Sequence, residues 1–314
     1  MAGSADAERS DEDDRGAPPG SGPRARLKSG LAGIGRDSLA QGATLLIYHR
    51  VGGGTRDELD LPVPAFARQL EQLEGHDVVA LDTALDRLDS GDSRPSVVLT
   101  FDDGFEDVHA HAWPLLRERG LPFTVYLASG YVSQPMVWEG STAKGSTGMG
   151  MSWAQLGEMV DSGLCTVGNH THLHVRPEAL TEEEVDACTA SVERHLGVRP
   201  RHFTYPWGVR VNEMEAALRE RFRSASSGEL GRNVPGTERV RLKRVPVRQS
   251  DPEAFFAAKL VGNLAPERAY AAIVRLAKTV VGDPAVDGVR MGALASKAQQ
   301  ADVAERVAQL SKCA

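Results

Sequence analysis

The sequence predicts an α/β fold, with a barrel of parallel strands favoured over a small open sheet. Short apolar runs rich in β-branched residues alternate with segments whose apolar side chains recur at helical spacing. The alternation repeats too many times for a small sheet. Asp102 and His170 fall just past the ends of predicted strands, where folds of this kind place their chemistry.

Taken in order, Ala43–Tyr48 reads as a buried strand with His49 and Arg50 at its end. Residues 63–73 place Phe66, Leu70 and Leu73 on one helical face behind a first-turn proline. A strand over 78–81 and a helix over 83–88 follow, then a strong strand over 96–101 that ends at Asp102. A helix at 111–119 closes at Gly120, ahead of a strand at 123–127, a helix at 153–162 and a short strand at 166–168. Residues 140–150 read as a Gly/Ser-rich surface loop, with a lid as the second reading.

A hydrophobic share of 41% in 314 residues supplies enough apolar surface for one large core. Composition assigns residues 1–30 to a disordered tail, leaving a main domain over 40–262 and a helical extension over 263–314. In that extension 266–278 is amphipathic and 293–310 has apolar residues at helical spacing, which implies packing on the barrel's outside and membrane contact that is at most peripheral. A net charge of −7, with basic residues interspersed among acids, argues against nucleic acid as a partner. Cys165, Cys188 and Cys313 are odd in number and unrelated in spacing, so neither a disulfide framework nor a cysteine zinc site is expected. The first two read as core residues. Without a visible secretory signal or a long apolar span, a cytoplasmic location is the expectation.

Two segments carry chemistry. Thr100-Phe101-Asp102-Asp103-Gly104 sets adjacent carboxylates at a strand end, with a glycine to turn the chain. Their repulsion is relieved if one binds a cation while the other handles a proton; a turn or helix-cap pair is the plain alternative. Gly168-Asn169-His170-Thr171-His172-Leu173-His174 places three histidines at alternate positions. On a helical turn His170 and His174 project to one side, as metal binding requires, and in an extended segment all three could converge.

These residues resemble the NodB-like polysaccharide deacetylases (carbohydrate esterase family 4). Thr100 to Gly104 looks like the family's first motif, His170 to His174 its second, and Phe203-Thr204-Tyr205-Pro206-Trp207-Gly208 its third. With Tyr48-His49-Arg50-Val51, the pattern is similar to the branch acting in exopolysaccharide and poly-N-acetylglucosamine assembly. The likeness is strong from Ala43 to Gly208 and weaker to Leu260. It implies a distorted (β/α) barrel in which Asp103, His170 and His174 bind a divalent metal, zinc first, with cobalt, nickel or iron as other candidates. It further implies that Asp102 is the general base, that a backbone amide near Trp207 stabilises the oxyanion, and that Tyr205 and Trp207 form part of the sugar-binding wall.

Two departures stand out. Many relatives carry arginine where this chain has Thr204, so another arginine must steady Asp102; Arg244, in a segment resembling one that supplies a basic residue in the exopolysaccharide branch, is the candidate. The family's late Leu-x-His acid is also missing, because the last histidine is His202. His172 or His49 then becomes the candidate acid, with a water or the substrate itself as other sources of the proton. The expected reaction is release of acetate from an N-acetylhexosamine unit in an oligomeric, lipid-linked or small glycoconjugate substrate. A weak or inactive carbohydrate-binding protein that keeps the barrel is the alternative. A phosphoesterase is disfavoured, since the chain has no Gly-x-x-x-x-Gly-Lys-Ser/Thr loop and no second carboxylate set.

Overall fold

The computed structural model describes residues 22–35, 40–138, 140–141 and 148–281, with backbone alone at 277–281; residues 1–21, 282–314 and the expected helix at 293–310 lie outside the described residues. The strands are β1 (Ala43–Tyr48), β2 (Arg50–Val51), β3 (Asp60–Leu61), β4 (Ser96–Asp103), β5 (Phe123–Leu127), β6 (Cys165–Asn169), β7 (His202–Thr204), β8 (Ser224–Leu230) and β9 (Leu242–Pro246). The order β1-β4-β5-β6-β7-β8-β9 closes on itself, every pair parallel, and β2 and β3 make a separate parallel pair.

Helices cover this barrel: α1 (Pro23–Leu31), α2 (Val63–Gln72), α3 (Leu81–Asp89), α4 (Trp113–Glu118), α5 (Trp153–Asp161), α6 (Glu182–Leu196), α7 (Glu215–Arg221), α8 (Glu253–Leu260) and α9 (Ala265–Val281). Strand residues of one parity, such as Val97, Leu99 and Phe101, pack with Phe66 and Leu70 of α2 and Trp113 and Leu116 of α4. Residues of the other parity, Leu45, Val98, Tyr126 and Leu242, pack with Leu81, Leu85 and Leu88 of α3. Where 78–81 reads as a strand, only Val78 bridges to Val97, and α3 begins at Leu81. The helical spacing of buried Leu81, Ala84, Leu85 and Leu88 extends the helix backwards past Thr83. Likewise the helix expected at 111–119 begins as a π-helical turn at Val108–Ala112 before α4. Cys165 and Cys188 are buried free thiols.

Residues 23–30, assigned by composition to a disordered tail, are instead helical. A buried charge network anchors them. Lys28 Nζ donates to Asp251 Oδ1 at 2.6 Å and Ser250 Oγ at 2.7 Å; Lys259 Nζ meets Asp251 Oδ2 at 2.6 Å and Glu267 Oε2 at 2.9 Å. Arg248 pairs with Glu267. No helix of the described residues is long and apolar enough to cross a membrane.

Gly168 on β6 is needed for packing. A Cβ there would stand 2.5 Å from the Tyr126 ring and 3.1 Å from the His202 carbonyl oxygen. The Tyr126 ring, fully buried in the barrel, has nowhere to retreat. Gly168→Ala is expected to cost about 1–3 kcal/mol in denaturant unfolding, the usual penalty for overpacking; an unchanged midpoint would mean that Tyr126 can move aside.

Candidate active site

Parallel register brings the chemistry to one end of the barrel. Asp102 and Asp103 close β4 opposite Tyr126 and Leu127, while Leu127 lies opposite Asn169, the residue before His170. Tyr205 follows β7, His49 follows β1, and Arg244 lies within β9. In a regular strand adjacent side chains face opposite ways. Asp103 breaks that rule with a left-handed φ of 74°, and Gly104 continues the turn at 92°, so neighbouring carboxylates reach one mouth. Gly104 is also tight, since a Cβ there would lie 2.6 Å from Leu127 Cδ1.

The histidine segment is neither helical nor extended. Left-handed Thr171 (φ 66°) and His174 (φ 49°) fold it into a loop. Its shape is held from outside. Asn169 Oδ1 accepts the Thr171 amide at 2.9 Å while its Nδ2 donates to Val185 O and Thr189 Oγ1; Glu184 Oε2 accepts the amides of His172 and Leu173. Four of the left-handed non-glycine residues, Asp103, Thr171, His174 and Trp207, belong to this site. Such conformations cost on the order of 1–3 kcal/mol each and persist where surrounding contacts enforce them.

Asp103, His170 and His174 converge. Their candidate ligand atoms lie within 4.8 Å of one another, all buried. Asp103 Oδ1 stands 3.3 Å from His170 Nε2 and 3.4 Å from His174 Nε2, yet among the described residues it has no hydrogen-bond donor. His170 Nδ1 lies 2.8 Å from the Thr204 carbonyl oxygen, to which it donates, so its Nε2 faces the carboxylate. Burial pushes His174 down to about 3, against the pull of Asp103. Burial also works to raise the Asp103 carboxyl, but His170, His174 and His49 outweigh it and hold the group well below its usual range. A divalent cation between the carboxylate and the two imidazole nitrogens would offset the cost of burying that charge. Ligands about 2.0–2.2 Å from a tetrahedral centre stand roughly 3.3–3.6 Å apart, so this donor set fits a divalent metal.

Asp102 is placed differently. Arg244 Nη1 and Nη2 donate to its two oxygens at 2.7 and 2.8 Å, both side chains buried. Arg244 Nε donates to the Ser227 carbonyl at 3.1 Å. Desolvation favours the protonated acid, yet the Arg244 charge, then those of His170 and His49, keep the Asp102 carboxyl below its ordinary value. Arg244 thus supplies the guanidinium on Asp102, while the Thr204 hydroxyl donates to Ser226 O.

The remaining candidates divide. Trp207 reaches the site: its ring centroid is 5.1 Å from that of His174, and its φ of 64° turns its amide out of the backbone ladder, leaving it no backbone hydrogen bond among the described residues. Tyr205 does not form a sugar-facing wall. Its ring is wholly buried, packed on Phe203 in the cluster with Met214 and Leu218, and its hydroxyl donates to Val211 O at 3.4 Å. Strand alternation explains the correction, because Phe203 and Tyr205 share the outward parity while His202 and Thr204 face in. His172 turns from the cluster to Ser129 Oγ at 2.9 Å. His49 is half-buried, with Nδ1 enclosed and unpartnered among the described residues, and is among the groups whose charge acts on both carboxylates. Asn169, Glu184 and Trp138 also serve the site without being visible as candidates in the sequence; of these only Asn169, beside the histidines, carries a local signal.

Residues 89–221 match the family model described as polysaccharide deacetylase. Among solved structures, IcaB from Ammonifex degensii is 31% identical, with a TM-score of 0.61 over 71% of this chain and 97% of that one. The de-N-acetylase from Aggregatibacter actinomycetemcomitans (19% identical, TM-score 0.56, 69% of this chain and 99% of that one) and the Streptococcus pyogenes deacetylase PplD (20%, 0.55, 69% and 97%) share the fold. No curated protein matches the chain by sequence. At nearly a third identity over almost the whole of IcaB, the likeness extends from fold to sequence, and the chain belongs to the polysaccharide deacetylase family of hydrolases.

Proposed function

We propose that the chain hydrolyses the N-acetyl group of an N-acetylhexosamine unit, in an oligomeric, lipid-linked or small glycoconjugate substrate, to give acetate and a free amine. The observation that carries this reading is the pairing of an Asp-His-His donor set with a second carboxylate that is held by arginine. Asp103, His170 and His174 would hold a divalent metal, zinc or a near neighbour. Such a cation supplies Lewis acidity toward water and toward the acetamide carbonyl.

The chain's own groups do the rest. Asp102, ionised by virtue of Arg244, takes the proton from the attacking water. The Trp207 amide, without a backbone partner among the described residues, donates to the oxygen that gains charge as the carbonyl becomes tetrahedral. The C–N bond then breaks, and the leaving nitrogen needs a proton. His49 is better placed than His172 to give it, because His172 is engaged with Ser129.

Acetate release from acetamido sugars of increasing length, measured with zinc or cobalt present, tests the proposal. Dialysis against a chelator is expected to abolish release, and added metal to restore it. Full activity in metal-free protein would overturn the metal assignment. A metal-loaded protein that binds sugar without releasing acetate would favour the carbohydrate-binding alternative.

A further inference from the structure

The two histidines of the donor set are held in different ways. A metal-binding imidazole ordinarily donates its second N–H to a carbonyl or carboxylate, which fixes its tautomer and its aim. His170 does so through Thr204 O. His174 does not: its Nδ1 is buried and has no hydrogen-bond partner among the described residues. Its backbone is also left-handed, so neither local geometry nor a polar anchor holds the ring in place.

Aromatic faces take the place of the anchor. The Trp138 indole stacks on the His174 imidazole with centroids 4.4 Å apart and planes 29° apart, while Trp207 covers it from 5.1 Å at 56°. Trp138 is itself wedged. Tyr131 meets it edge-on at 4.8 Å and Phe105, two residues after Asp103, lies at 6.1 Å. Phe105 is fully buried and carries the Arg50 guanidinium at 4.6 Å; Arg176 lies 4.9 Å from the Trp207 ring. The result is one chain of ring and cation contacts, Arg50–Phe105–Trp138–His174–Trp207–Arg176, that passes through the donor set.

We infer that Trp138 is a positioning residue that holds the His174 imidazole aimed at the metal position, replacing the hydrogen bond that this histidine lacks. The inference rests on the metal reading above. By reciprocity, a cation on His174 also steadies Trp138, since each favours the same ring orientation.

The test uses the full chain stripped of metal and titrated with cobalt(II), read by its visible absorption bands, and with zinc against a competing chelator. Outer-shell partners of metal ligands typically contribute about 10–100-fold in affinity. Trp138→Leu is expected to weaken both metals by at least about 10-fold and to change the cobalt spectrum, while the metal-free protein keeps a single cooperative unfolding transition. Trp138→Phe, which keeps a stacking face, is expected to recover most of the affinity. Trp153→Leu is the control, since Trp153 stacks on His195 at 4.3 Å, outside the donor set, and its loss should leave metal affinity unchanged. Equal affinity and spectra for Trp138→Leu and the unsubstituted protein would overturn the inference while leaving the metal site intact. Failure of the unsubstituted protein to bind either metal would overturn the metal reading and the inference together.

Discussion

Asp102→Asn is expected to lower acetate release by about 10²–10⁴-fold, the usual contribution of a positioned general base. The amide is nearly isosteric but cannot accept the water's proton. Asp103, His170 and His174 are untouched, so zinc content measured by elemental analysis should stay near that of the unsubstituted protein. Arg244 would keep one acceptor, the carbonyl oxygen of the new carboxamide, which limits the structural damage. Equal rates in the two proteins would remove Asp102 from the base role, and a loss of zinc would place it among the ligands.

Arg244→Met is expected to act on both rate and stability. With the guanidinium gone, the largest charge opposing burial at Asp102 is lost, so its carboxyl titrates higher than in the native protein. The acid limb of the kcat/KM profile should therefore move to higher pH, with part of the rate recovered in alkaline buffer. The stability effect follows the same shift. In the native protein the depressed value contributes stability that is present above the unfolded carboxyl's pKa of about 4 and is lost as pH falls through the lower folded value. In the variant the folded value is higher, so the destabilisation is full above it and fades as pH falls toward the native folded value. Removing one member of a buried ion pair costs about 3–5 kcal/mol. Denaturant unfolding at neutral and acid pH should show that gap narrowing in acid; a pH-independent gap would mean that the substituted thioether disrupts packing and does not act through Asp102.

The barrel and the paired acids were legible because β4 is a long apolar run with its chemistry written at its end. Arg244 was legible only through the resemblance of its segment, Lys243 to Val247, to one that supplies a basic residue in the exopolysaccharide branch. Tyr205 was misplaced although the information was present: counting parity from His202 sends it outward with Phe203. What could not be read were contacts made through loop backbone. Glu184, on α6, accepts two loop amides, and Trp138 arrives from the segment between β5 and α5. No spacing rule links either to the histidines, because left-handed residues at Thr171 and His174 set the loop's path.

The charge network around Asp251 has a practical consequence for anyone trimming this protein. Lys28 and Glu267 lie ahead of the first strand and beyond the last, yet both close on the same interior knot. A shortened version running only from residue 40 to residue 262 would strip Asp251 of one ammonium and Lys259 of one carboxylate in a place water does not reach. Cutting outside Pro23 and Val281 keeps the latch shut, and the two flanking helices are better regarded as the barrel's own fastening than as detachable ends.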